Sequence, residues 1–289
     1  IGATGYTGLD LILILSKHPK VKVKYLCATK NLGKNINFFD KRIKKNLPKI
    51  SLVNKVNWGD IDLVFLSMPN GEAQKIIKKT FFKYKNLKYI DLSADFRLTN
   101  PQIYLKNYKI NHKAKDLIKH ALYSISELSR KKIHKYRIVA NPGCYPTSIQ
   151  LPLIPLIKKN LIKTKEITID SKSGYSGAGR GVHKKFKNKN LYESLSAYGV
   201  GFHRHNSEIH QELKKNTSSK INFTFTPHII PMFRGILSTI YLDLKPGTTL
   251  NNVQNILKKF HKKNKFVKIK SVNSFLSTND VMNTNYCFI

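Results

Sequence analysis

The chain has 289 residues, 41% of them hydrophobic, enough for one large or two ordinary domains with sizeable cores. It has no uninterrupted apolar run of about 18 residues, which excludes a transmembrane helix, and the apolar stretch at 9–15 lacks the basic leader and cleavage site of a signal peptide. Lysine and arginine total 52 against 16 acidic residues, a net charge of +36, but the lysines are scattered in pairs such as Lys78-Lys79 and Lys184-Lys185, so the excess reads as compositional drift and a nucleic-acid partner is not expected.

The chain opens on Ile1-Gly2-Ala3-Thr4-Gly5-Tyr6-Thr7-Gly8, three glycines three apart, directly before an apolar run at 9–15. This reads as a phosphate-cradling turn that opens a helix. Glycine lets backbone approach a pyrophosphate, and the helix N-terminus supplies the anion site. Gly2, Gly5, Tyr6, Thr7 and Gly8 are therefore cofactor candidates. A strand should precede such a turn and only Ile1 stands there, so the chain is expected to be a fragment that lacks its first strand. The helix should stop by Pro19. Residues 21–28 alternate, with Val21, Val23, Tyr25 and Cys27 on one side, and predict a strand. At its end stand Thr29 and Lys30, where an acidic residue would grip a ribose 2′-hydroxyl. A threonine and a lysine there suit a 2′-phosphate, and hence NADP.

Residues 61–66 predict a continuous apolar strand of a parallel sheet covered on both faces. It ends in Ser67-Met68-Pro69-Asn70-Gly71, and a helix follows over 72–79. A strand over 88–91 leads to Leu92-Ser93-Ala94-Asp95-Phe96-Arg97-Leu98. Arg97 suits a fork-like grip on phosphate or carboxylate, or a salt bridge to Asp95. This alternation of strand and helix predicts an α/β nucleotide-binding domain.

Residues 137–140 predict a short buried strand. A helix is predicted from Thr147 to about residue 159, with Ile149, Leu153, Leu156 and Ile157 on one face. Between them lies Asn141-Pro142-Gly143-Cys144-Tyr145-Pro146-Thr147. Proline and glycine bend the chain there, which places Cys144 in a strand-to-helix turn. A helix N-terminus favours negative charge, so the thiol ionises more easily, and a thiolate attacks carbonyls and acyl phosphates. Cys27 and Cys287 fall inside predicted strands. Three widely spaced cysteines argue against a disulfide framework and for a reducing compartment, the cytoplasm.

This heptapeptide resembles the active-site signature of the N-acetyl-gamma-glutamyl-phosphate reductase family, and the resemblance extends over essentially the whole chain. Gly33-Lys34 matches a family Gly-Lys pair, and Ser67, Met68 and Pro69 match a loop that lies over the cofactor. Tyr123-Ser124-Ile125-Ser126-Glu127 matches Tyr-Gly-Leu-Pro-Glu, with serine in place of both glycine and proline. Ser173-Gly174-Tyr175-Ser176-Gly177-Ala178-Gly179-Arg180, a Gly/Ser loop rich in N–H groups, matches a segment lining the active site, which makes Ser176 and Gly177 cofactor candidates. Tyr198-Gly199-Val200-Gly201-Phe202-His203-Arg204-His205-Asn206-Ser207-Glu208-Ile209 resembles the family's His-Arg-His-x-Pro-Glu-Ile, with Ser207 in place of proline. On residue types alone, either histidine could be a base oriented by Glu208. The resemblance favours His203 as the base, with His205 and Arg204 as supports, and Arg97, Arg204 and Glu208 are the substrate-side candidates. A zinc site is not expected, because Cys144 has no neighbouring pair of ligands.

Strands are predicted over 223–229 and 235–244, joined by Pro231-Met232-Phe233-Arg234-Gly235, which resembles the family's Pro-Met-x-Arg-Gly. A helix should start at Thr249 with Leu250, Val253, Ile256, Leu257 and Phe260 inward. Residues 285–289 match a late family strand, with Phe288 where aspartate is usual; the family's return helix is expected to be missing. The expected fold class is α/β: a Rossmann-type NADP-binding domain over 1–146 and an α+β catalytic and dimerisation domain over 147–289. The resemblance implies an NADPH-dependent reduction of a small acyl phosphate to a semialdehyde, by a homodimer or tetramer. Two alternatives remain: an aspartate-semialdehyde dehydrogenase-type enzyme, and a basic nucleic-acid-binding protein that has lost catalysis.

Overall fold

The computed structural model describes residues 1–181 and 193–289, so Lys184-Lys185 lies outside the described residues. The chain divides into two compact units: Ile1–Ser124 with Lys131–Pro142, and Ile125–Arg130 with Gly143–Ile289. Gly143 to Pro146, with Cys144, thus belong to the second unit.

In the first unit, α1 (Tyr6–Ser16) follows the glycine turn and buries Gly8, Leu9 and Ile12. The short strands β1 (Leu26–Cys27) and β2 (Ile50–Ser51) pair in parallel. β3 (Leu63–Leu66), β4 (Lys88–Asp91), β5 (Ala121–Tyr123) and β6 (Ile138–Ala140) form a parallel sheet in the order β3-β4-β6-β5. Ile1 joins the two sets. Its nitrogen donates to Phe65 O at 2.8 Å and its carbonyl accepts Ser67 N–H at 2.9 Å, while Gly2 and Ala3 N–H reach Cys27 O at 2.8 and 3.0 Å. The running order is therefore β2-β1-Ile1-β3-β4-β6-β5, and the glycine turn leaves the sheet where that order reverses. That is the topological switch point at which doubly wound sheets bind ligands. The helices α2 (Ala73–Thr80) and α3 (Pro101–Tyr108) complete the unit. Asn100 caps α3 by accepting from Gln102 and Ile103 N–H, and Pro101 sits at the first helical position, where its missing N–H costs nothing.

Two expectations for this unit need correction. The strand predicted over 21–28 is a ladder only at Leu26 and Cys27, because β2 offers two residues of partner edge and the alternation before them is never paired. The strand at 61–66 is not covered on both faces, since Leu63 is 39% exposed.

In the second unit, α4 (Ser126–Ser129) precedes α5 (Cys144–Lys158). The long strands β7 (Ile167–Gly174), β9 (Phe223–Ile230) and β10 (Ile236–Tyr241), with the short β8 (Ser196–Ala197), form a mixed sheet in the order β10-β7-β9-β8. β7 alternates, burying Ile167, Ile169, Ser171 and Ser173 on one face. Against that face pack α5, α6 (His205–Lys214) and α7 (Leu250–His261), in one core that contains Tyr145, Ile149, Leu153, Ile157, Ile209, Leu213, Phe225 and Leu257. Leu250, expected inward, is 55% exposed because it opens α7 beyond the reach of this core. β11 (Val267–Lys268) and β12 (Cys287–Phe288) form a separate parallel pair.

The helix α5 carries Pro152 and Pro155 in its interior. Each proline removes one backbone donor and leaves the carbonyl four residues earlier without its helical partner. For Pro155 that carbonyl is Leu151 O, and His261 Nε2 on α7 lies 3.0 Å from it. Burial, more than any other cause, lowers the His261 pKa, which keeps this tie a neutral one.

Candidate active site

Cys144 is the first residue of α5, with Gly143 as its cap, and its side chain is exposed. Two residues of α6 hold the segment that presents it. Glu208, 1% exposed, accepts Gly143 N–H on Oε1 at 2.7 Å. His205 packs so close to Gly143 that a Cβ there would lie 2.5 Å from His205 Nε2. Glycine is thus required before the cysteine by the approach of the imidazole. No disulfide links the three cysteines. Cys27 is buried, and burial pushes Cys287 up to about 11, so Cys144 is the one presented to reagents.

Beside it stand residues that sequence reading left out. Tyr145 and Tyr198 hydroxyls lie 3.0 Å apart, and both phenols are close enough to Cys144 for its charge to bear on them. Burial, first, raises both phenol pKa values, so each stays protonated at neutral pH. Both residues stand inside the two motifs already singled out, but neither motif says that residues 53 apart in sequence meet. The His203 ring sits among Tyr145, Tyr198 and Phe225 at 5.7, 5.5 and 5.5 Å between centroids, with His205 at 4.8 Å. Its Nδ1 accepts the backbone N–H of His205 at 3.2 Å. Burial, and then the charge of Arg204, bring its pKa down to about 4, so the ring is neutral at pH 7. Arg204 itself is exposed.

The loop after β7, expected to offer N–H groups to a ligand, commits several of them within the protein. Tyr175, Ser176 and Gly179 N–H donate to Met232 O, Phe233 O and Ser176 O, each at 3.0 Å, so these three are committed to the protein. Ser176 and Gly177 belong to the second unit, and the remaining cofactor candidates to the first.

In the first unit the glycine turn is shaped by close approach. Gly2 has φ +85°, and a Cβ there would fall 1.9 Å from Ser67 O; a Cβ on Gly8 would fall 2.3 Å from Gly2 O. Bare backbone therefore faces bare backbone at the start of α1, whose first turn has no side-chain cap. This is a cradle suited to a pyrophosphate. Thr29 and Lys30 are exposed at the end of β1. Just after the loop Ser67-Met68-Pro69, the chain entering α2 is anchored by Asp95, which sequence reading treated only as a partner for Arg97. Asp95 is fully buried and accepts Gly71 N–H and Tyr104 O–H on Oδ1, each at 2.7 Å, and Gln74 N–H on Oδ2 at 3.0 Å. Arg97 is buried too. Its Nε donates to Asn141 O at 2.7 Å and one Nη to Leu92 O at 3.3 Å, so much of its fork holds backbone at the start of the Asn141-Pro142-Gly143-Cys144 segment. Among the described residues no cluster of three histidine, cysteine or acidic side chains could hold a metal ion.

Two family models match this chain: the NAD binding domain of semialdehyde dehydrogenase over residues 1–136, and the semialdehyde dehydrogenase dimerisation domain over residues 144–289. Fold comparison agrees. An aspartate semialdehyde dehydrogenase II of Vibrio cholerae superimposes with a TM-score of 0.71 at 14% identity, covering 99% of this chain and 84% of that one. An aspartate semialdehyde dehydrogenase with NADP from Candida albicans gives a TM-score of 0.63 at 17% identity, covering 96% and 83%. The sequence relatives are narrower. A probable chloroplastic N-acetyl-gamma-glutamyl-phosphate reductase of Oryza sativa is 42% identical, covering 100% of this chain and 69% of the relative. An N-acetyl-gamma-glutamyl-phosphate reductase of Afipia carboxidovorans is 40% identical, covering 100% and 83%. The chain belongs to the semialdehyde dehydrogenase family, and within it to the N-acetyl-gamma-glutamyl-phosphate reductases.

Proposed function

We propose that this chain reduces N-acetyl-gamma-glutamyl phosphate to the semialdehyde through a thioester on Cys144, as a step of arginine biosynthesis. The observation that carries the reading is the exposed Cys144 at the first position of α5, with Gly143 pinned behind it by Glu208. The helix N-terminus favours the thiolate. Its sulfur attacks the acyl carbonyl, the carbonyl pair moves to oxygen, and re-formation of the carbonyl expels phosphate with the bond pair. Gly143 N–H is already given to Glu208, so other donors must attend the developing oxyanion. His203 is the catalytic histidine of this scheme. Arg204, exposed beside it, offers charge to the anionic substrate, while Glu208 holds the N–H of Gly143 and Arg97 the carbonyl of Asn141.

Gly2, Gly5, Tyr6, Thr7, Gly8 and the Ser67-Met68-Pro69 loop would hold the dinucleotide, and Thr29 and Lys30 a 2′-phosphate, which favours NADP over NAD. Bound there, the reduced nicotinamide supplies the hydride that takes the thioester to the aldehyde level. Titrating both reduced cofactors by fluorescence checks the preference; equal or tighter binding of NADH would remove it. A match to a dimerisation domain supports a homo-oligomer.

Cys144→Ser should bind NADPH as the parent does and form no semialdehyde, because a hydroxyl stays protonated at neutral pH and is a poor leaving group. Iodoacetamide should label Cys144 first, and the acyl phosphate should protect it. Near-normal turnover by Cys144→Ser would end the scheme. Assaying aspartyl phosphate beside N-acetyl-gamma-glutamyl phosphate separates this activity from that of the aspartate enzymes, whose resemblance at 14% identity is one of fold.

A further inference from the structure

The scatter of lysines along the chain breaks down over 258–270, where seven of the thirteen residues are lysine, and no aspartate or glutamate stands between Asp243 and Asp280. The stretch runs from the last turn of α7 into β11. There the two short strands alternate. Val267, Ile269, Cys287 and Ile289 pack inward with Ile125 and Leu151. Phe266, Lys268, Lys270, Tyr286 and Phe288 therefore share the outer face, with Lys268 opposite Phe288 in the parallel register. The rings form a row on that face. Phe266 and Tyr286 lie 6.1 Å apart between centroids, and Tyr286 and Phe288 6.2 Å, at interplanar angles of 52° and 40°. A lysine Nζ stands by each ring: Lys265 at 5.8 Å from Phe266, Lys268 at 5.6 Å from Tyr286 and Lys270 at 5.0 Å from Phe288. Phe266 is 37% and Tyr286 38% exposed. Among the described residues no carboxylate pairs with any of these three lysines. The charge of Glu127, on α4, bears instead on Cys287 and His261, which face inward.

We propose that this face binds single-stranded nucleic acid, with bases stacked on Phe266, Tyr286 and Phe288 and phosphates held by Lys265, Lys268 and Lys270. A single strand offers a π-face on every base and a phosphate at every step. Rings interleaved with ammonium groups meet both along one row, and a strand face is a surface from which rings reach unstacked bases. A duplex keeps its bases stacked on one another and would show these rings only its backbone. A surface that beds into lipid sets its apolar and basic residues on opposite faces, whereas here they share one. The net charge of +36 draws any polyanion near without choosing among them, and the rings supply the choice. Stacking reads sequence weakly, so binding should extend across base compositions.

Fluorescence anisotropy of a labelled oligothymidylate of about twelve nucleotides tests this, with NADPH in excess so that the cofactor site proposed above is filled. Phe266→Leu with Tyr286→Leu keeps apolar bulk and charge but removes two stacking faces, and should weaken binding about tenfold or more. Lys268→Gln with Lys270→Gln should flatten the dependence of log K on log salt by about 0.7 for each charge lost. Lys78→Gln with Lys79→Gln, exposed on α2, removes as much charge elsewhere and should leave affinity and slope close to those of the parent. A duplex of equal length should bind more weakly than the single strand. Parent-like affinity in the double leucine variant, or equal losses in the two lysine pairs, would reduce the binding to bulk charge and overturn the proposal. A duplex that binds as well as the single strand, or no binding at low salt, would overturn it too. Phosphatidylserine vesicles are the last arm: capture that needs the same rings, without oligonucleotide binding, would assign the face to lipid instead. Urea unfolding checks that each variant is folded; if the double leucine variant is not, Tyr286→Leu alone carries the same comparison, since Tyr286 is exposed.

Discussion

Glu208 shows how a residue's type and its role part company. Its place after two histidines suggested a carboxylate that orients a base, and it was also a candidate on the substrate side, whereas its side chain is buried and accepts the N–H of the residue before Cys144. A buried amide left without an acceptor costs about 1–3 kcal/mol. Glu208→Ala should therefore lower the unfolding free energy by about that much and also slow alkylation of Cys144 by iodoacetamide, because the presenting turn loses its anchor. Glu208→Gln keeps an acceptor oxygen and should be milder on both counts. Urea unfolding and timed alkylation check this; parent-like behaviour of Glu208→Ala would show that Gly143 needs no such tie. Cys144 itself was legible from its seven-residue neighbourhood, because proline and glycine bend a chain locally. The meeting of Tyr145 with Tyr198, and of Gly143 with His205, was not, since each depends on α5, α6 and the β8 region being folded together.

At the scale of elements, the turn into α1 carries the cofactor reading. Gly2 combines a left-handed φ of +85° with a Cβ site 1.9 Å from Ser67 O, a backbone atom that cannot move aside alone. Gly5 has φ −72°, and its Cβ would come no nearer than 3.6 Å to Gly2 O. Gly2→Ala should therefore abolish NADPH binding in a fluorescence titration and cost about 1–3 kcal/mol of stability from backbone strain alone. Gly5→Ala should leave stability nearly unchanged. Tight NADPH binding by Gly2→Ala would remove this turn from the cofactor site. The helices α2, α5 and α7 and the strand β4 were readable because their apolar periods and breakers are local signals. The strand predicted over 21–28 failed for the complementary reason: a strand exists only as far as a neighbour's edge runs, and β2 is two residues long.

Across the whole molecule, buried titrating groups set the response to acid. His203, His112 and His261 all have lowered pKa values, with burial the first cause. Each resists in the native state a proton that it accepts once unfolded. Their stabilising effect is therefore full above the unfolded value of about 6.5 and fades as pH falls, for His203 down to about 4. Asp91 acts in the opposite sense. Burial lifts its carboxyl to about 6, so the native state binds that proton first and gains stability as pH falls through this value. Comparing urea unfolding at pH 7 and pH 4.5, the parent should lose more stability than His203→Gln does. An identical loss in both would mean that the native imidazole titrates as it does in the unfolded chain. The net charge of +36 is also a property of the whole chain, and it assists attraction of an anionic substrate without specifying one.

The sequence by itself determined the two-part α/β design, the glycine turn, the cysteine at a helix start and the family, because periodicity, breakers and motif spacing act over a few residues. Tertiary structure alone decided that Ile1 stands at the reversal of strand order, that Leu250 faces water, that Glu208 lies behind the nucleophile and that His203 receives an N–H on Nδ1. Each of these depends on which backbone or side chain arrives from elsewhere in the fold, and the free energy of burying a polar group is set by the partner that meets it there.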